Sequence, residues 1–229
     1  MTSLAFIHTV PALAPIFESE LGTRIQDSCQ SLHIVDTGFD SRHLATGASE
    51  YRRSCLDRLN AHIEYAAANK ADAVLVTCTT LGPLVDEAKE ISSVPVVRID
   101  EAMADTAALS GERILVLATS PWNFPTSVEI VKRSVARCSR GATVVGHLCE
   151  GAFLALAEGN REGHDAAVLS ALSQQQTTEA CDVVVLAQAS MAHLVERARD
   201  VCGPGVSVLA SPPIAIENLL EGLIGQGRS

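Results

Sequence analysis

The chain has 229 residues, enough for one large domain or two of roughly 100–150 residues each. Hydrophobic residues make up 47% and charged residues 19%, so a real core can form and wholesale disorder is excluded. Seventeen Lys and Arg against 27 Asp and Glu leave a formal charge of −10 with no basic cluster, which excludes nucleic acid and an anionic membrane surface as partners.

The first eleven residues carry no basic flank, and His8 and Pro11 interrupt their apolar run. They read as a first strand, Leu4–His8, and not as a signal peptide. Further apolar runs follow at Leu32–Val35, Ala73–Thr77, Pro95–Ile99, Ile114–Ala118, Thr143–His147, Val183–Ala187 and Val206–Leu209. Most are rich in Val, Ile and Leu with little polar alternation, the pattern of parallel strands covered on both faces. Segments of helical length lie between them, among them Glu50–Asn69, Thr126–Cys138 and Arg161–Ala180. This βαβ rhythm predicts an α/β protein with parallel sheet. Gly225–Ser229 reads as a frayed tail, and its spaced glycines follow no strand, so they make no dinucleotide-binding loop. No apolar stretch approaches the roughly 20 residues that span a bilayer. The seven cysteines (Cys29, Cys55, Cys78, Cys138, Cys149, Cys181 and Cys202) are scattered and include no C-x-x-C pair. That predicts reduced thiols in a cytoplasmic protein, without a disulfide framework and without a metal site.

The most informative feature is an internal repeat. Asp72-Ala-Val-Leu-Val-Thr-Cys-Thr-Thr-Leu-Gly-Pro-Leu-Val85 aligns with Asp182-Val-Val-Val-Leu-Ala-Gln-Ala-Ser-Met-Ala-His-Leu-Val195 at an offset of 110 residues. Asp72/Asp182, Val74/Val184, Leu84/Leu194 and Val85/Val195 are identical pairs. Ile7-His-Thr-Val-Pro11 aligns with Leu117-Ala-Thr-Ser-Pro121 at the same offset, and Ile34-Val35 with Val144-Val145. The repeat predicts two four-stranded α/β halves related by a pseudo-twofold axis, residues 1–98 plus 211–229 and residues 99–210. The helix near Glu101–Leu109 is then expected on the second half, and the terminal helix near Ile214–Leu223 on the first. Open parallel sheets bind ligands beyond the carboxyl ends of their strands. A pocket lined by the strand ends of both halves is therefore expected, with Cys78 and Gln188 as equivalent positions.

Cys78 ends an apolar strand and precedes a helix read as starting near Thr80, with Pro83 in its first turn. A thiol beside the positive end of a helix has a lowered pKa and becomes available as base or nucleophile. A buried core thiol is the competing reading, and the one adopted for the other six. Thr79 and Thr80 are either helix caps or hydroxyls for a carboxylate, and the two roles are compatible. Thr9, Thr119, Ser120, Ala189 and Ser190 occupy matching strand ends and complete a hydroxyl- and amide-rich cradle for a carboxylate or an oxyanion. Gln188 cannot exchange protons at neutral pH, but it can hydrogen-bond a substrate. His8 is either a second acid/base or a hydrogen-bonded scaffold histidine. The His147–Glu150 segment and His193, read as helix surface, are set aside.

The residues Val-Leu-Val-Thr-Cys78-Thr-Thr-Leu-Gly and Arg113-Ile-Leu-Val-Leu-Ala-Thr-Ser, with Gly151-Ala-Phe and Gly163-His-Asp, resemble the aspartate/glutamate/hydantoin racemase superfamily. The resemblance implies a cofactor-independent enzyme acting on a small carboxylate, and a homo-oligomer. In racemases of this superfamily two cysteines flank the substrate α-carbon, one taking a proton and the other delivering one. Cys78 matches the first, and the second falls at Gln188. The hydroxyls and amides after each position, here Thr79, Thr80, Ser120, Ala189 and Ser190, are implied to hold the carboxylate. One positioned acid or base is typically worth about 10²–10⁴-fold in rate, so two-base racemisation is expected to be severely weakened. An isomerase using Cys78 with His8 or water is the leading expectation. A decarboxylase or other lyase in which Cys78 donates the proton, and a non-catalytic carboxylate binder, are the alternatives.

Overall fold

The computed structural model describes residues 2–24, 29–138 and 141–226; of the expected frayed tail, residues 227–229 lie outside them. The chain divides into two compact units, Met1–Ile99 with Pro212–Ser229 and Asp100–Ser211.

In the first unit, strands β1 (Thr2–His8), β2 (Cys29–Val35), β3 (Ala73–Val76) and β4 (Val96–Arg98) form a parallel sheet in the order β2-β1-β3-β4. The helices are α1 (Ala14–Gly22), α2 (Ser41–Ala45), α3 (Ser49–Ala68) and α4 (Gly82–Ala88), joined by the terminal α10 (Ser211–Gln226). The second unit carries β5 (Arg113–Ala118), β6 (Thr143–Leu148), β7 (Val183–Leu186) and β8 (Ser207–Ala210) in the equivalent order β6-β5-β7-β8, also parallel. Its helices are α5 (Glu101–Ser110), α6 (Phe124–Cys138), α7 (Ala152–Ala157), α8 (Arg161–Thr178) and α9 (Val195–Cys202). The fold is α/β, with two four-stranded all-parallel sheets. The central strands β3 and β7 are buried along their whole length, which is why they read as unbroken Val/Leu runs. The helix expected near Thr80 begins instead as a 3₁₀ turn, Thr79–Leu81, before α4, and Pro83 lies in the first turn of α4, where its missing N–H costs nothing.

The registers of the two sheets test the repeat residue by residue. Leu4 pairs with Ala73 in one sheet and Ile114 with Val183 in the other, both displaced by 110. The edge strands differ. Phe6 pairs with His33, whereas Val116 pairs with Gly146, a displacement of 113 for the second member. The sequence match of Ile34-Val35 with Val144-Val145 is therefore corrected: Ile34 corresponds to His147. A three-residue difference in the connection to the edge strand moved the register, and two apolar dipeptides at the old spacing were a coincidence.

The identical pairs have identical work. The Asp72 carboxylate accepts the Ser3 N–H at 2.7 Å, and the Asp182 carboxylate accepts the Arg113 N–H at 2.9 Å, each securing the start of a central strand to its neighbour. Leu84 and Leu194 are both fully packed, in cores built from Ile7, Leu59, Ile63 and Val76 and from Leu117, Val168, Leu172 and Leu186 respectively. An ion pair between helices also recurs with its charges exchanged: Arg52 of α3 pairs with Glu87 of α4, and Asp165 of α8 pairs with Arg197 of α9 at 3.3 Å. Leu84→Ala and Leu194→Ala are each expected to destabilise the protein by about 2–5 kcal/mol, the usual range for a buried leucine truncated to a cavity, measured by urea denaturation.

Candidate active site

In a sheet of order 2-1-3-4 the chain leaves β1 in one direction and, after β2, crosses back over it to β3. The crevice at the carboxyl ends of β1 and β3 is the topological switch point, where open α/β sheets bind their ligands. Thr9 follows β1 there, and Thr77-Cys78-Thr79-Thr80 follows β3. The second unit has the equivalent crevice between β5 and β7, carrying Thr119-Ser120 and Gln188-Ala189-Ser190. Topology thus places Thr9, Cys78, Thr79 and Thr80 at one strand-end crevice in the first unit, and Thr119, Ser120, Gln188, Ala189 and Ser190 at the equivalent one in the second.

Cys78 is half-buried and extended (φ −128°, ψ 113°), and it is the N-cap of the 3₁₀ turn, with its carbonyl accepting the Leu81 N–H at 3.1 Å. Gln188 is its counterpart in the second unit, equally half-buried and extended (φ −107°, ψ 142°), and its carbonyl accepts the Met191 N–H at 2.9 Å. The Gln188 side chain is fixed. Its Oε1 accepts the Thr119 N–H at 2.8 Å and lies 3.3 Å from the Thr119 hydroxyl. Its Nε2 is buried without a partner. Leaving a buried donor unsatisfied costs about 1–3 kcal/mol.

His8 does not meet Cys78. Side chains alternate across a strand. His8 therefore shares a face with Phe6 and, through the β1–β3 register, with Thr77, whereas Cys78 packs with Ile7 and Val76 on the opposite face. His8 is fully buried, with Nδ1 2.8 Å from Thr77 Oγ1 and Nε2 2.7 Å from His33 Nδ1. His33 Nε2 is 2.7 Å from Glu18, which also receives the Ser31 hydroxyl. The Thr77 hydroxyl also donates to the Ile7 carbonyl at 3.0 Å, and the direction of the hydrogen bonds through His8 and His33 is set by the tautomers of the two rings. In the second unit the positions of His8, Thr77 and His33 hold Ala118, Ala187 and Gly146. The sheet therefore forms without these polar groups, and only the first unit carries them.

His33 and Glu18 went unnoticed in the sequence because a 113-residue displacement hid the Gly146 counterpart. A second cluster was missed as well. His193, read as helix surface, lies in the 3₁₀ turn Ala189–Leu194, and its Nε2 lies 2.9 Å from both oxygens of Asp165, which also touches His164 Nδ1 at 2.9 Å. The tighter winding of a 3₁₀ turn directs His193 onto the start of α8. Among the described residues, no group of three or more His, Cys, Asp or Glu is arranged to hold a metal ion, and no helix is long and apolar enough to cross a membrane.

All seven cysteines are free. Burial pushes the Cys149 thiol up to about 12, and burial, aided by Cys202 and Asp182, pushes Cys181 to about 11. Burial likewise raises Cys29, Cys55 and Cys202. A thiol with a pKa of about 12 is thiolate in only about one part in 10⁴ at pH 8. Cys78 is therefore expected to alkylate well ahead of Cys149 and Cys181 at pH 8, read by mass-spectrometric mapping over time.

Burial, reinforced by neighbouring His33, lowers His8 from 6.5 to about 4. Between those values the unfolded chain binds the extra proton and the folded chain does not, so stability rises with pH. The contribution is complete above about pH 6.5 and is lost as pH falls toward 4, amounting to about 3 kcal/mol at 1.36 kcal/mol per pKa unit. Urea denaturation at pH 7 and pH 4.5 is expected to show a larger loss of stability on acidification for the wild type than for His8→Gln.

The fold and its paired switch points define a duplicated α/β protein of the racemase type. Glutamate racemase from Bacillus anthracis has a TM-score of 0.72 at 15% identity, with 99% of this chain and 83% of that chain covered. Allantoin racemase from Klebsiella pneumoniae has a TM-score of 0.72 at 15% identity, covering 99% and 89%. Aspartate racemase from Picrophilus torridus has a TM-score of 0.71 at 12% identity, covering 99% and 94%. No curated protein matches the sequence. The profile of the Asp/Glu/Hydantoin racemase family matches residues 18–219, and the chain belongs to that family.

Proposed function

We propose that this protein is a cofactor-independent cytoplasmic isomerase acting on a small carboxylate, with the Cys78 thiolate as base or nucleophile. The observation that carries this reading is the position of Cys78. It stands half-buried at the first switch point, directly before Thr79 and Thr80, in the place where the family resemblance puts a proton-transferring thiol. Thr9, Thr79 and Thr80, at the same switch point, contribute hydroxyl and amide donors to the carboxylate. The resemblance puts a second thiol where Gln188 stands, and an amide takes no proton at neutral pH. His8, on the other sheet face and engaged with Thr77 and His33, does not take up that duty in the proposal. The chemistry is accordingly that of a single thiol, with water completing the proton transfer.

A screen of amino acids and small dicarboxylates in D₂O, followed by mass spectrometry, tests this. Solvent deuterium is expected at a carbon of at least one carboxylate without release of carbon dioxide, and it is expected to disappear in Cys78→Ala while the circular dichroism spectrum is unchanged. Racemisation of aspartate, glutamate and hydantoins, followed by chiral chromatography, is expected to be negligible. Full exchange in Cys78→Ala would remove the thiol from the chemistry.

A further inference from the structure

Gly82 opens α4 with ordinary helical angles (φ −47°, ψ −48°), so the position makes no use of glycine's backbone freedom, and glycine is a poorer helix former than alanine. What the position requires is the absence of a side chain: a Cβ there would run into Nη2, Cζ and Nε of Arg98. Arg98 ends β4 and is 2% exposed. It pairs with Val76 in the β3–β4 register, and so shares the sheet face of Val76 and Cys78. Its Nη1 donates to Asp86 of α4 at 2.7 Å, and Asp86 also meets Lys89 at 3.1 Å. The guanidinium thus lies against the residue at which the 3₁₀ turn Thr79–Leu81 becomes α-helix, and it is anchored one turn further along that helix.

The second unit is built without this arrangement. Ala192, Glu196 and Ala210 hold the positions of Gly82, Asp86 and Arg98. There the 3₁₀ turn runs on over six residues, Ala189–Leu194, where the first unit changes to α-helix after three. The fold therefore closes without an arginine at this place. Stability is not a sufficient reason for one either, since a buried ion pair is often no better than the apolar residues that could replace it. The arrangement stands in the unit whose strand end carries Cys78, and not in the one that carries Gln188.

We propose that Arg98 is a positioning residue for Cys78. Held by Asp86 and packed on Gly82, its planar guanidinium ends the 3₁₀ turn at Leu81 and so fixes the backbone that presents Cys78, Thr79 and Thr80. Arg98 acts through that turn and not on the substrate. The inference rests on the reading of Cys78 as the reactive thiol and adds what holds the thiol in place, using residues of the first unit alone.

The test uses the full chain and two substitutions. Gly82→Ala sets a methyl group where the guanidinium lies, and Arg98→Met removes the charge and the planar group. Each is expected to lower kcat of the Cys78-dependent deuterium exchange about 10–100-fold under conditions where circular dichroism shows full folding. The double variant is expected to lose little more than either alone, since both substitutions break the same contact. An arginine that served stability alone would lower the urea midpoint and leave kcat of the folded protein unchanged, and that result overturns the proposal. Alkylation by iodoacetamide gives a second readout that needs no substrate. The Cys78 rate is expected to change severalfold in both variants, while Cys55, buried in the core of the same unit, stays protected. An unchanged Cys78 rate overturns the proposal, as does one that rises in step with Cys55, which is general loosening of the unit. If Arg98→Met does not fold, Gly82→Ala decides alone. Full exchange in Cys78→Ala would remove the thiol from the chemistry, and the alkylation rates would still decide whether Arg98 sets its turn.

Discussion

The crossover between parallel strands is the constraint on which the rest of this structure depends. A parallel strand cannot return to its neighbour through a tight turn, so each connection spends a helix on one face of the sheet. With the order β2-β1-β3-β4, the first crossover goes one way and the next passes back over β1, leaving the β1 and β3 ends splayed without a covering connection. Both faces of the sheet must be apolar to pack those helices, which confines polar chemistry to the strand ends. Cys78, Thr79 and Thr80 stand where they do because β3 ends in a run of buried apolar side chains and the chain needs a turn before α4.

Duplication supplies an internal control that a single domain lacks. Where both units keep the same residue, the reason is structural: Asp72 and Asp182 each secure a central strand, and Leu84 and Leu194 each fill a core. Where they differ in kind at equivalent positions, the fold has shown that it does not require either residue. Cys78 against Gln188 is one such difference, and His8, Thr77 and His33 against Ala118, Ala187 and Gly146 is another. The inter-helix ion pair lies between the two cases, since its geometry is retained while its charges are exchanged. Arg52–Glu87 is exposed on both sides and contributes little by itself, whereas Asp165 is buried and also meets His164 and His193.

The buried histidine chain shows how a polar group is tolerated inside such a sheet. His8 has no access to solvent, yet both ring nitrogens are satisfied, one by Thr77 and one by His33, and the chain ends on the half-exposed Glu18. Neutral imidazole is thus the comfortable state, which is why its proton is held so weakly. Gln188 is the contrasting case, with one end of its amide satisfied and the other not. A satisfied network rigidifies, whereas an unpaired buried donor is a cost to the fold.

Much of this was legible along the chain. The Val/Leu runs between helical segments define eight parallel strands because strands buried on both faces admit little else, and the 110-residue spacing reveals the duplication because the central strands and their following turns are closed by local packing. The strand-end thiol and its threonines could be found for the same reason. The register of β2 and β6 was decided by tertiary structure, because a three-residue change in a connection alters nothing in the local pattern yet moves every partner across the sheet. The face on which His8 lies, its union with His33 and Glu18, and the turning of His193 onto Asp165 were also out of reach, since each joins residues from separate elements. Gln188 was visible as a residue, but the direction of its amide depends on a single backbone N–H of Thr119, 69 positions away in sequence and adjacent only once β5 and β7 have paired.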